Sequence, residues 1–303
     1  MIHFKKFYFD FFIICFILVG TYLCLGVGIT HDEFHDYNVW LANKNIISNY
    51  LFNTNYDTSF LSGTHKFYGS GFHFFSSLIE IFSSRLPLLE TYSDITRIIL
   101  LKHFSTFLLF VISGLVFKKI LKIIINNNDQ ANLGTILYLI YPYLLGHSFF
   151  NVKDIPFLTI WLICTYFLIK IIRIYFIKKI ISKKNLIFLS LFTSYLLSIR
   201  ISGVLIFLQY LIFILTLSNV MNFNFFNFIK KFIKEILISI VIIFTFYILL
   251  QPSYWENPLL FFESILYMSQ HVQTVCTLTL KECMGAQNLP ASYLPIWFFF
   301  KLP

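Results

Sequence analysis

Residues 7–36 read FYFDFFIICFILVGTYLCLGVGITHDEFHD, and this stretch decides the fold class. The run from Phe7 to Gly28 is almost wholly apolar. As a helix rising 1.5 Å per residue it reaches roughly 33 Å, enough to cross a ~30 Å hydrocarbon core. Lys5 and Lys6 precede it, and Asp32, Glu33 and Asp36 follow it. Two adjacent carboxylates, with a third three residues on, therefore stand where a first membrane helix emerges into water. Ionisable groups at such a boundary are costly to keep and are functional candidates by default. The start of the chain also mimics a signal peptide, but the run is long and no Ala-x-Ala-like site precedes Thr30, so it reads as an uncleaved anchor.

Composition points the same way. The chain is 58% hydrophobic and only 12% charged, with a mean hydropathy of +0.76. Soluble domains carry about twice that charged fraction. An all-α polytopic membrane protein, a single integral-membrane domain over 1–303, is the expectation. The net charge of +9 does not report a nucleic-acid partner. Fourteen of the 23 Lys and Arg fall in four short clusters, at 5–6, 118–122, 170–184 and 230–234. Each flanks an apolar run, as the positive-inside rule expects of cytoplasmic loops. Eleven of the 14 acidic residues fall in the other class of segments. Of five cysteines, Cys15, Cys24 and Cys164 sit in apolar runs and read as small hydrophobes. Cys276 and Cys283 share a predicted outer loop and can pair there if the compartment is oxidising.

Seven spans are predicted, near 7–28, 98–117, 133–150, 155–177, 185–199, 201–218 and 236–250, with an eighth opening near Ala291. A cytoplasmic N-terminus then places every basic cluster inside. Leu186 to Leu217 as one helix would measure roughly 48 Å, too long for one crossing. Arg200 near its middle favours two short crossings that turn on the outer side. In the first outer loop, 29–97, Asn43 to Ser62 is polar and reads as a loop. Between Phe67 and Leu86 apolar residues recur at spacings of 3 and 4, with His73, Ser77, Glu80 and Ser84 on another face. That is the pattern of an interfacial helix. A second such helix is predicted after Pro258.

Four polar signatures emerge on the outer side: the 31–36 motif, Gly146 to Pro156, the Arg200 turn, and Gln251 to Pro258. Together they supply carboxylates, fixed cations and aromatic surface at one boundary. A carboxylate can take a proton from an acceptor hydroxyl, and Lys or Arg can hold a departing phosphate. Adjacent carboxylates can also share a divalent cation, magnesium or manganese, and the sequence leaves that open.

The ordered set resembles the GT-C superfamily of membrane glycosyltransferases, and within it the protein O-mannosyltransferase and aminoarabinose-transferase group. The matching pieces are the Asp32-Glu33 pair after the first helix, Asn151-x-Lys153-Asp154-Ile155-Pro156, Arg200-x-x-Gly203, Pro252-x-Tyr254-Trp255-x-Asn257-Pro258, and Leu289 to Pro295. The resemblance implies a polyprenyl-phosphate-linked sugar donor and transfer with inversion. The implied acceptor is extracytoplasmic, whether protein, glycolipid or glycan. Carried over, it makes Asp32 the catalytic base, with Glu33 assisting or, if a metal is bound, ligating it. Lys153 and Arg200 become the donor-phosphate residues, Asp154 orients Lys153, and His35 and Asp36 support. The family generally has further helices, so a chain truncated at its C-terminus is expected. The Ile, Phe, Lys and Asn bias points to a bacterial inner membrane. A transporter or lipid flippase, or a non-catalytic short relative, are the rival readings; they fit less well because the charges gather at one boundary and no repeat is visible.

Overall fold

The computed structural model describes residues 6–83, 92–220, 223–269, 277–279, 282–285 and 288–301. It divides into two compact units, Met1–Pro258 and Leu259–Pro303. The regular structure described in the first unit is helical. Its helices are α1 (Lys6–Gly26), α2 (His31–Phe52), α3 (Gly71–Ser83), α4 (Asp94–Ile125), α5 (Asn128–Leu139), α6 (Pro142–Ser148), α7 (Asp154–Lys178), α8 (Lys183–Ile199), α9 (Ile206–Val220), α10 (Phe225–Lys231) and α11 (Ile233–Leu249). The second contains α12 (Leu260–Ser269), the antiparallel pair β1 (Thr277–Thr279) and β2 (Glu282–Met284), and α13 (Tyr293–Lys301).

Among the described residues, three helical stretches are long and apolar enough to cross a membrane: Phe7–Gly26, Asp154–Lys178 and Ile201–Val220. The pair α10 and α11, bent by 71°, makes a fourth if taken as one span. The other predicted spans depart from that pattern for visible reasons. Tyr141 and Pro142 split 133–150 into α5 and α6, because proline starts a helix readily and cannot continue one. Residues 98–117 lie inside the longer α4, where most of them are buried within the protein. The predicted 185–199 lies in α8, a helix of 17 residues.

α7 is the central post: it packs against α4 and α8, and α8 in turn against α11. The main apolar cluster joins Leu109 of α4, Ile160, Cys164 and Leu168 of α7, and Leu189 and Leu196 of α8. Cys24 and Cys164 are fully buried free thiols, as expected of small hydrophobes, and Cys15 is partly buried. Cys283 is disulfide-bonded; its expected partner, Cys276, lies outside the described residues.

The expected break at Arg200 is present. α8 ends at Ile199, Arg200 is extended (φ −148°, ψ 131°), and a 3-10 turn over Ile201–Leu205 leads into α9. The chain before α3 leans directly on this break. A Cβ at Gly69 would lie 2.2 Å from the Ile199 carbonyl oxygen and 2.5 Å from that of Ser198. Backbone cannot yield there cheaply, so Gly69→Ala is expected to cost about 1–3 kcal/mol. Gly28→Ala, with nothing within 4 Å, should leave thermal unfolding close to wild type. Equal melting of the two variants would refute this contact.

The stretch between α1 and α4 corrects one expectation. Residues 43–52 are not loop but the second half of α2, which ends at Asn53 in the left-handed conformation (φ 50°). The reason is that the buried face of α2 mixes carboxylates and an amide with Val39, Trp40 and Ala42. Glu33, Asp36, Trp40 and Asn43 recur at spacings of 3, 4 and 3, and all are buried. Hydropathy periodicity does not register such a face. α3 forms where expected, but its polar residues turn inward: His73 and Ser76 are buried, whereas Leu78 and Ile81 are exposed. α12 exposes Phe262 and Leu266, as its interfacial pattern predicts.

Candidate functional site

The site is organised around the first turn of α2. Glu33 is 4% exposed, and both its oxygens are engaged. Oε2 accepts from the Thr30 backbone N–H at 2.6 Å, the acidic half of a capping box. Oε1 meets Nε2 of His103, a fully buried residue of α4. The other ring nitrogen, Nδ1, lies 3.2 Å from the Cys24 carbonyl oxygen. That carbonyl can only accept, so Nδ1 donates to it. One proton must then also sit in the Glu33–His103 contact, on the ring or on the carboxyl. The pair ties the end of α1, the start of α2 and the middle of α4 into one buried junction.

Asp36, one turn on, is equally buried and pairs with Lys153 Nζ at 2.7 Å. The Lys153 amine also lies 5.2 Å from the centre of the Tyr68 ring. The carboxylate that orients Lys153 is therefore Asp36, not Asp154 as expected from sequence adjacency. Asp154 pairs instead with Arg200 Nη1. Asn151 arranges this loop. Its Oδ1 accepts from the backbone N–H of Lys153 (3.2 Å) and of Asp154 (2.8 Å), while its Nδ2 donates to Asp154 Oδ2 at 3.0 Å. Asn151 thus caps the start of α7 through its side chain. His147 supports it through Nδ1, 2.9 Å from Asn151 Nδ2.

The fourth signature joins from the other side. Gln251, 1% exposed, donates from Nε2 to the Tyr68 carbonyl (2.8 Å), and its Oε1 accepts from Ser70 Oγ (3.0 Å). The Ser253 N–H donates to Asn43 Oδ1 on α2 (3.3 Å). The 146–156 loop and the 251–258 segment therefore both reach α2, and the Arg200 turn joins them through Asp154. His35 sits at the rim, with Nε2 3.0 Å from Nδ1 of His65. Burial, and then the neighbouring charge of His35, hold His65 below the ordinary imidazole value.

Asp32 stands apart from this network. It is exposed, and among the described residues its carboxylate has no hydrogen-bond or ion-pair partner. The adjacent acids thus have opposite surroundings, one fixed inside and one free outside. Among the described residues no group of three or more His, Cys, Asp or Glu is placed to hold a metal ion.

The Asp36–Lys153 pair gives a direct test of the architecture. Lys153→Met leaves a buried carboxylate without its 2.7 Å ion-pair partner. The expected cost is about 2 kcal/mol, below the range for fully buried pairs because the Lys153 side chain is 33% exposed. Adding Asp36→Asn should restore part of the lost thermal stability. A double variant no more stable than the single one would show that the pair carries no coupling.

Sequence reasoning missed His103 and Lys102. The available signal was two ionisable residues inside the apolar run of α4, a placement that by itself marks function or pairing. No known protein family, curated protein or solved structure matches this chain.

Proposed function

We propose that this protein is a membrane glycosyltransferase of GT-C type, transferring a sugar from a polyprenyl phosphate to an acceptor hydroxyl outside the cytoplasm. The observation that carries the reading is Asp32: an exposed, unpartnered carboxylate on a helix turn whose inner face is fixed by Glu33–His103 and Asp36–Lys153. A general base needs that combination of a fixed backbone and an open carboxylate. In the proposed step Asp32 takes the acceptor proton as the hydroxyl oxygen bonds to the sugar carbon. The bond from that carbon to the phosphate oxygen breaks on the opposite face, which inverts the centre and releases the lipid phosphate.

Lys153 and Arg200 would face the leaving phosphate, each already oriented by a carboxylate. Arg200 uses one nitrogen on Asp154 and keeps further N–H donors for a phosphate oxygen. Both oxygens of Glu33 are engaged, so the step is written without a cation. Seven crossings, with the N-terminus cytoplasmic, would put all four basic clusters inside and the site outside. The test is transfer from a panel of radiolabelled polyprenyl-phosphate sugars in membranes containing the protein. Label moved from one donor to an acceptor is the expected result; no transfer from any donor would move the transporter or non-catalytic reading ahead.

A further inference from the structure

Behind the Asp36–Lys153 pair, four buried polar atoms on three helices have no hydrogen-bond partner among the described residues. They are Trp40 Nε1 on α2, His73 Nδ1 and Ser77 Oγ on α3, and Lys102 Nζ on α4. Each such group costs stability, and an unpaired ammonium costs the most. Isolated orphans can be incidental, but these belong to one neighbourhood. The Trp40 and His73 rings stack at 5.5 Å with an interplanar angle of 19°. Ser77 lies one turn beyond His73 on α3. Lys102 is 3% exposed, is the foremost charge acting on His73, and holds its amine 5.4 Å from the centre of the Tyr37 ring.

Three carboxylates act on this amine from a distance, but none of them hydrogen-bonds it. Glu80 is the carboxylate that acts on it most, yet Glu80 turns to Ser76 Oγ at 3.2 Å, and Lys102 Nζ has no hydrogen-bond partner. Asp36 and Glu33 come next, and Lys153 and His103 hold them. Lys44 adds a second cation to the same field. Burial keeps His73 neutral, so its ring can donate one hydrogen bond without adding charge. An ammonium, an indole N–H, a hydroxyl and an imidazole, all unpaired, match a ligand with several anionic oxygens.

We infer that Lys102, Trp40, His73 and Ser77 form a buried binding site for a phosphate monoester. The choice of phosphate over another oxyanion rests on the proposed glycosyl transfer, whose leaving group is a lipid phosphate. Lys153 and Arg200 are each matched by a carboxylate, whereas Lys102 is the buried amine left without one. The site therefore supplies an ammonium and neighbouring N–H and O–H groups that are not already committed to protein partners.

The test is binding of geranyl phosphate, inorganic phosphate and geraniol to the full chain in detergent, by calorimetry. Wild type is expected to bind geranyl phosphate, and Lys102→Met to weaken it at least about tenfold, the loss of one charge-assisted hydrogen bond. Lys102→Arg should retain most of the affinity. Without ligand, Lys102→Met should melt no lower than wild type, since it removes an unpaired buried charge. Inorganic phosphate bound as tightly as geranyl phosphate would identify a free phosphate as the occupant; weaker binding identifies the lipid phosphate. Geranyl phosphate binding that is absent in wild type, unchanged in Lys102→Met, or equalled by geraniol in both proteins would overturn the site. The two proposals fail separately. Lys102-dependent phosphate binding without sugar transfer removes the glycosyltransferase reading alone; transfer with Lys102-independent phosphate binding removes the site alone.

Discussion

Asp32→Asn is expected to lower sugar transfer at least 100-fold while leaving protein level and melting temperature near wild type. The size follows from the role: a positioned general base contributes about 10²–10⁴ in rate. The neutrality for folding follows from the surroundings, because Asp32 is exposed and, among the described residues, makes no hydrogen bond or ion pair. Surface changes of that kind fall within about 0.5 kcal/mol. One stabilising contribution would be lost, that of an acid in the first turn of α2 to the helix dipole, and it is small at an exposed position. Asp32→Glu should recover part of the rate, because it restores the carboxylate but displaces it by one methylene. Initial rates of label transfer, normalised to folded protein, provide the measurement. An Asp32→Asn protein that keeps more than a third of wild-type transfer would remove Asp32 from the chemistry. A collapse in folded yield would show instead that Asp32 is structural.

Apolar helices were legible in the sequence because hydropathy and length report them directly. α1, α7 and α9 lie where predicted, and the break at Arg200 was set by a length that no single crossing could take. α2 was half missed for the opposite reason. Its buried face mixes Glu33, Asp36 and Asn43 with Val39, Trp40 and Ala42, and its exposed positions include Phe34 and Leu41, so no clean apolar period marks it. Of the residues singled out from sequence, Glu33, Asp36, Lys153, Asp154 and Arg200 enter one set of ion pairs, but which pairs with which was not legible. Lys153 and Asp154 are neighbours in sequence, but side chains of adjacent residues at a helix start point apart. Each finds its partner on another element, Asp36 in α2 and Arg200 at the end of α8. The network around the site also uses residues from α4, and no local spacing links Glu33 to His103, 70 positions away.

That junction carries the largest expected effect on stability. His103→Leu leaves Glu33 with Oε1 buried and unpaired, at 4% exposure. Removing one partner of a buried pair costs about 3–5 kcal/mol, because the remaining charge stays in a medium that cannot solvate it. The loss should be mostly electrostatic, since leucine fills a similar volume. The cycle with Glu33→Leu separates the terms. Replacing both partners by apolar residues is often neutral or stabilising, so the double variant should melt above His103→Leu alone. It will not regain wild-type stability in full, because the Thr30 N–H loses its 2.6 Å acceptor and the capping box goes with it. Activity should fall in both variants, since the turn that holds Asp32 is no longer fixed, although neither change touches the Asp32 carboxylate. A His103→Leu protein melting within 0.5 kcal/mol of wild type, a bound set by ordinary surface changes, would show that Glu33 finds other partners and that the α1–α2–α4 junction does not fix the site.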